Sequence, residues 1–270
     1  VREAPVRVAC VQLDIVWEDP EASCARVEPL ARTAAAAGAR LLVLPEMFAT
    51  GFSMDAERVA SHAPGIATFT AELARRLGVW VAAGWAEPGP IRPANTCRLV
   101  DPDGVERLVY RKIHPFSLAG EPDRYVAGDE VVTIAVEGVR VTPFVCYDLR
   151  FPELFRLAAD ATDLFLVPAN WPERRRHAWS SLLVARALDA QAWVAGVNRV
   201  GVDGHGVAHS GDSAVVSPLG EVVAMRSETE GVVTADVDPG EVVRVRRRFG
   251  FLDDRRPELY RRLDDARRME

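Results

Sequence analysis

The chain is short of lysine. Of its 33 basic residues, 32 are arginine and one, Lys112, is lysine. It has no basic excess either. The formal net charge is -6, which argues against a nucleic-acid partner, normally met by a basic stripe. No uninterrupted apolar run is long enough to span a bilayer, and the opening residues lack a signal-type apolar core, so no membrane partner is expected. Cysteines are few: Cys10, Cys24, Cys97 and Cys146. With no Cys-x-x-Cys pair, zinc and thioredoxin-type chemistry are not expected, and scattered single cysteines fit a cytoplasmic location. Neither a Gly-x-Ser-x-Gly elbow nor a phosphate-cradling glycine loop ahead of a helix occurs.

What is present is a globular composition, 49% hydrophobic and 27% charged, over 270 residues. Apolar runs at 6–13, 40–44, 79–85, 95–100 and 105–112 read as strands, with helices at 21–37 and 64–77 stopped by Gly38 and Gly78. The turn Asp101-Pro-Asp-Gly104 joins the last two strands as a hairpin. The plan then repeats. Strands at 139–145, 164–167, 193–197, 213–217 and 222–225 alternate with helices at 152–159 and 172–191, and a strand at 232–237 closes the sheet region. The helix at 172–191 is expected to put Ala185, Leu188 and Ala192 on one face. Each half forms a mixed sheet with helices on one face, because right-handed crossovers between sequential strands fall on the same side. The bare faces then pack together. The expected fold is α/β: a four-layer αββα sandwich of two mixed sheets with helices outside. Residues 1–240 are expected to form one domain. Residues 241–270, with ten arginines against seven acids, read as a solvated or partner-facing tail.

Ligands in α/β sheets sit beyond the carboxyl ends of strands. Three chemically useful groups stand there. Glu46 follows the run 41–44, Lys112 follows 105–110, and Cys146 follows 141–145. Each has a bland reading: a surface acid, a residual lysine in an arginine-rich chain, an inert core thiol. Jointly, a half-buried acid, a compact ammonium and a thiol at a strand-to-helix turn form a set able to cleave an acyl bond. A Cys–His arrangement has less support, because His62, His114, His177, His205 and His209 do not stand at comparable strand ends. His205 and His209 have helical metal-ligand spacing but lie among glycines in a loop, so no metal is expected. A catalytically inactive interaction module is the alternative of another class.

Leu-Pro-Glu-Met-Phe at 44–48, Tyr-Arg-Lys-Ile-His at 110–114 and Cys-Tyr-Asp-Leu-Arg-Phe-Pro-Glu at 146–153 resemble the motifs of the nitrilase superfamily of carbon–nitrogen hydrolases. The resemblance runs from about residue 6 to residue 237. It implies a Glu-Lys-Cys triad at Glu46, Lys112 and Cys146, with a further glutamate at Glu121. It implies a small-molecule amide substrate, water, no cofactor, and a homodimer or higher homo-oligomer to which the tail contributes. Within the superfamily, residues 45–54, Ala-Asn-Trp-Pro at 169–172 and the stretch 196–213 look like the omega-amidases, which act on 2-oxo acid amides such as 2-oxoglutaramate. Aliphatic amidase, nitrilase and N-carbamoyl amidohydrolase activities are the alternatives.

The chemistry then requires an oxyanion site, expected from the Lys112 ammonium and the Tyr147 N–H. A substrate carboxylate requires donors: Arg174, with Arg175, Arg176 and Arg150 also in view. An ion pair of Arg150 with Asp148 or Glu153 is the preferred reading of Arg150. Phe48, Phe116, Asn170 and Trp171 are expected to line the substrate pocket.

Overall fold

The computed structural model describes residues 4–268. The first half contains β1 (Val6–Gln12), α1 (Pro20–Ala36), β2 (Leu41–Val43), α2 (Ala56–Ala60), α3 (Ala63–Leu77), β3 (Trp80–Ala83), β4 (Ala86–Glu87), β5 (Ala94–Val100), β6 (Glu106–Arg111) and α4 (Glu121–Arg124). The second contains β7 (Ile134–Val136), β8 (Val139–Pro143), α5 (Pro152–Ala158), β9 (Leu164–Ala169), α6 (Arg176–Ala190), β10 (Trp193–Asn198), β11 (Val200–Val202), β12 (Ala208–Val216), β13 (Val222–Ser227) and β14 (Gly231–Val237). Helices α7 (Pro239–Arg248) and α8 (Pro257–Arg268) follow.

Two seven-stranded mixed sheets result. One runs β14-β1-β2-β3-β5-β4 with β6 on β5, and the other β11-β12-β10-β9-β8-β7 with β13 on β12. Period-two alternation sorts the layers. Val8, Cys10, Leu41, Val43 and Ala82 join a core shared with the second sheet, whereas Ala9, Val11, Leu42, Val81 and Ala83 pack with α1 and α3. Local signals fix the helix ends. The Asp19 side chain caps α1 by accepting the Ala22 N–H at 3.0 Å, and Gly78 ends α3 in the left-handed conformation. The sandwich is the expected one.

The structure refines three expectations. The strand expected to close the sheet region over 232–237 runs from 231 to 237 and does so by pairing antiparallel with β1 of the first half, Val6 opposite Val237, which ties the halves together. Helix α6 begins at Arg176, and its buried stripe is Trp179, Leu183, Arg186, Ala187 and Ala190, leaving Leu188 46% exposed. Arg186 fits that stripe because its Nε donates to the Leu149 carbonyl at 3.0 Å, so a charged residue belongs to the packed face. The chain beyond 240 begins as part of the packed body. Val242 is fully buried, and Arg246 donates to the carbonyls of Ala159 and Thr162 at 2.8 Å.

Candidate active site

Glu46, Lys112 and Cys146 each sit just past the end of a strand. Past β2, Leu44 and Pro45 stay buried, Glu46 is 1% exposed, and Met47 adopts φ 46°. Lys112 is the first residue after β6, and its N–H donates to the Asn95 carbonyl at 2.9 Å. Gly128 lies behind it, where a Cβ would fall 2.2 Å from the Arg111 carbonyl oxygen; no other residue allows that approach. Cys146 follows β8 at φ 48°, a left-handed conformation that non-glycine residues seldom take, and leads into a one-turn 3-10 helix, Cys146–Arg150.

The structure brings these groups together. Lys112 Nζ donates to Glu46 Oε1 at 2.9 Å and to Glu121 Oε2 and Oε1 at 2.9 and 3.2 Å. The Asn170 N–H donates to Glu46 Oε2 at 2.9 Å, and its side-chain amide donates to the Glu46 carbonyl at 2.6 Å. The Phe116 N–H donates to Glu121. The Cys146 thiol stands close enough to Glu46, Lys112 and the Asn170 N–H to feel all three electrostatically. Burial opposes the Lys112 ammonium, but Glu121 and then Glu46 outweigh it and hold its pKa well above the lysine range. Burial pushes the Glu121 carboxyl up, with Lys112 pulling the other way. Burial and then Glu46 push the Cys146 thiol well up, so the resting sulfur keeps its proton until a neighbouring base takes it. Burial also pushes Cys10, Cys24 and Cys97 up to about 12, and none of these three lines the cavity over Cys146.

One buried carboxylate, Asp148, links the lysine segment to the cysteine turn. Its Oδ2 accepts from the Tyr110 hydroxyl at 2.7 Å and the Val145 N–H at 2.9 Å. Its Oδ1 meets both the N–H and Nδ1 of His114 at 2.9 Å. His114, stacked 3.6 Å from Phe151, is therefore engaged away from the sulfur.

A cavity of about 290 Å³ opens over Cys146, Lys112 and Asn170. Phe116, Trp171 and Arg174 line it, as does Tyr147, while Phe48 does not. Phe48 is fully buried on the helix side against Phe69, because the turn at Met47 sends it away from the cavity; Phe52, 5.0 Å from Lys112 Nζ, lines the wall instead. Arg150 pairs with neither Asp148 nor Glu153. It lies 4.8 Å over the Trp171 ring, since the two Asp148 oxygens are already filled. Arg175 lies 5.2 Å over Phe116, and burial, then Arg174, lower its pKa. Arg176 is drawn off to Asp212 at 2.8 Å and to Glu228 at 3.5 Å. Among the described residues, Arg150, Arg174 and Arg175 form no ion pair, whereas Arg176 does.

His205 and His209 stand on the rim, His205 against Trp17 at 5.1 Å. Among the described residues no three histidine, cysteine or acidic side chains converge to hold a metal ion. Sequence reasoning passed over Asn95, whose amide reaches both Glu46 and Glu121, and Asn198, whose amide fixes the 170–171 segment through Trp171. Both lie inside strands, where polar residues carry no local mark of a site.

Comparison with known proteins agrees with this geometry. The model of the carbon–nitrogen hydrolase family matches residues 7–247. The omega-amidase YafV of Escherichia coli strain K12 is 37% identical over 219 residues, 81% of this chain and 84% of the relative. The 2-oxoglutaramate amidase of Paenarthrobacter nicotinovorans is 37% identical over 236 residues, 82% of this chain and 80% of the relative. A solved glutamate-to-glutamine variant of the amidase from Nesterenkonia sp. AN1, with acrylamide added at its active-site cysteine, superimposes with a TM-score of 0.86 at 27% identity, covering 96% of this chain and 99% of that one. The chain belongs to the carbon–nitrogen hydrolase family. It is a hydrolase of carbon–nitrogen bonds other than peptide bonds.

Proposed function

We propose that this protein is an omega-amidase that removes ammonia from the terminal amide of a 2-oxo acid such as 2-oxoglutaramate. The carrying observation is the Glu46 carboxylate, held by Lys112 on one oxygen and by the Asn170 N–H on the other, beside a strand-end thiol in a cavity.

Glu46 takes the thiol proton as Cys146 sulfur bonds to the amide carbon. The carbonyl π electrons move to oxygen, where the Lys112 ammonium and the Tyr147 N–H receive them; that N–H opens a one-turn helix, so its first donors lack intrahelical partners. Glu46 returns the proton to nitrogen, the C–N bond breaks, and ammonia leaves a thioester. Water, deprotonated by Glu46, adds to the thioester carbon; the C–S bond breaks as Glu46 hands that proton to sulfur, and the products are a carboxylic acid, the restored thiol and the restored carboxylate. Glu121 keeps Lys112 charged and aimed. No step calls for a cofactor.

The mouth supports an anionic substrate. Arg150, Arg174 and Arg175 crowd one rim without acid partners, and a carboxylate there gains charge-assisted hydrogen bonds. We also read the enzyme as a cytoplasmic homodimer, with the half-exposed Tyr260 and Leu263 of α8 at the contact. The described residues hold four free cysteines and no helix long and apolar enough to cross a membrane.

The test is ammonia release from 2-oxoglutaramate, a neutral aliphatic amide, a nitrile and an N-carbamoyl amino acid. Preference for 2-oxoglutaramate is expected. Equal or better turnover of the neutral amide would remove the omega-amidase assignment and leave the amidase chemistry standing.

A further inference from the structure

The two carboxylates buried beneath the cavity, Glu46 and Glu121, share two donors. One is Lys112 Nζ. The other is Asn95 on β5, 1% exposed, whose Nδ2 donates to Glu46 Oε1 at 2.8 Å and to Glu121 Oε1 at 2.9 Å. The Asn95 backbone carbonyl also accepts the Lys112 N–H at 2.9 Å. One residue outside the cavity wall thus touches both carboxylates through its side chain and the Lys112 segment through its backbone.

Asn95 Oδ1 is buried without a hydrogen-bond partner among the described residues. An orphaned buried oxygen is costly, so something must dictate this orientation. The carboxylates do. Reversing the amide would press Oδ1 against two carboxylate oxygens and lose both N–H contacts.

We propose that Asn95 is the positioning residue that lets Glu46 and Glu121 stand side by side as carboxylates on a single ammonium, so that Glu46 is free to accept the Cys146 proton. This rests on reading Glu46 as that acceptor. Two carboxylates around one ammonium leave a surplus negative charge in a buried place, and such a pair tends to capture a proton. Asn95 offers one N–H to each carboxylate and adds no charge of its own. Without it the captured proton sits between the acids and the base is spent. The Asn170 N–H serves Glu46 alone and the Phe116 N–H serves Glu121 alone, so neither bridges the pair as Asn95 does. The Tyr125 hydroxyl donates to the Ser53 carbonyl at 2.6 Å, His209 Nδ1 meets the Val207 carbonyl at 3.0 Å, and Cys146 itself is the proton's source.

The experiment is a pH profile of kcat and KM on 2-oxoglutaramate, between about pH 5 and 9, for the full chain carrying Asn95→Leu, Asn95→Ser or Asn95→Asp. Leucine keeps the branch at Cγ, is somewhat bulkier, and removes both donors. Its acidic limb is expected to move up by about one pH unit, so that kcat on that limb falls by up to about tenfold with KM changed less than about threefold. Serine, with one hydroxyl donor, falls between. Aspartate fits the same space even if leucine does not fold; it donates only when protonated, so its rate is expected to decline as pH rises. An unshifted acidic limb in the leucine or serine variant, or a wild-type profile in the aspartate variant, overturns the proposal, because a merely structural role lowers the rate equally at all pH. Glu46→Gln separates the two layers. Wild-type turnover in Glu46→Gln would sink the underlying reading, whereas a dead Glu46→Gln with an unaltered Asn95→Leu sinks the role of Asn95 alone.

Discussion

At the cavity floor every charged group has a partner. Lys112 binds two carboxylates, and Glu46 also accepts the Asn170 N–H. At the mouth the pattern inverts: Arg150 and Arg175 lie on aromatic rings, and Arg174 is exposed, none with an acid in reach among the described residues. The same residue classes thus do different work a short distance apart. Paired charges hold a geometry fixed before substrate arrives, which is what transition-state stabilisation needs. Unpaired cations leave their hydrogen-bonding capacity for the ligand, which is what selection among amides needs.

The largest break in this contrast lies at the sulfur. Cys146→Ser is expected to lose activity by about 10⁴-fold or more, because an alcohol ionises far less readily than a thiol. Steady-state ammonia release checks it, and a fully active serine enzyme would contradict the thioester route. Next is Lys112→Arg. It keeps the charge but offers a wide planar fork in place of a compact donor, so kcat should drop by about 10²–10³-fold. Near-normal turnover would remove Lys112 from the oxyanion site. At the mouth, Arg175→Gln should cost about 10–100-fold in kcat/KM on 2-oxoglutaramate, and far less on a neutral amide of similar length. Equal losses on both would mean that the arginine shapes the pocket without reading charge.

The smallest effect concerns stability. Burial, then Arg199, lowers the His209 pKa to about 4, so the folded protein holds this rim histidine neutral. The unfolded chain takes up the proton first as pH falls. Stability is therefore full above the ordinary histidine pKa of about 6.5 and is lost toward pH 4, by about 2 kcal/mol between pH 7 and 5 from this residue. Denaturant melts of the wild type and His209→Gln at those two pH values would show it as a smaller acid loss in the variant.

Much of this was legible in the chain. Glu46 and Cys146 each follow a buried apolar run and Lys112 ends a half-buried hairpin strand, and the sheet order does the rest by gathering strand ends. What was illegible depends on direction and on distance along the chain. Phe48 is two residues from Glu46 and shares its hydrophobic neighbourhood, yet the positive φ of Met47 sends it to the opposite side of the sheet. Arg150 has acids on either side in sequence, but Asp148 is spent on Tyr110, Val145 and His114, and an aromatic face takes the guanidinium instead. Asn95 has its partners 49 and 26 residues away, so no local pattern could mark it. The crossing of β14 to β1 is likewise a pairing between the chain's two ends, which strand propensity alone does not specify.

The most direct measurement is intact-protein and peptide mass spectrometry of the enzyme quenched in acid during turnover of 2-oxoglutaramate. An acyl adduct carried by the peptide containing Cys146, absent in Cys146→Ala and discharged by water on longer incubation, is the predicted result. Turnover with no adduct at any time under conditions that trap thioesters, or an adduct on Cys10, Cys24 or Cys97 instead, would contradict covalent catalysis at this site.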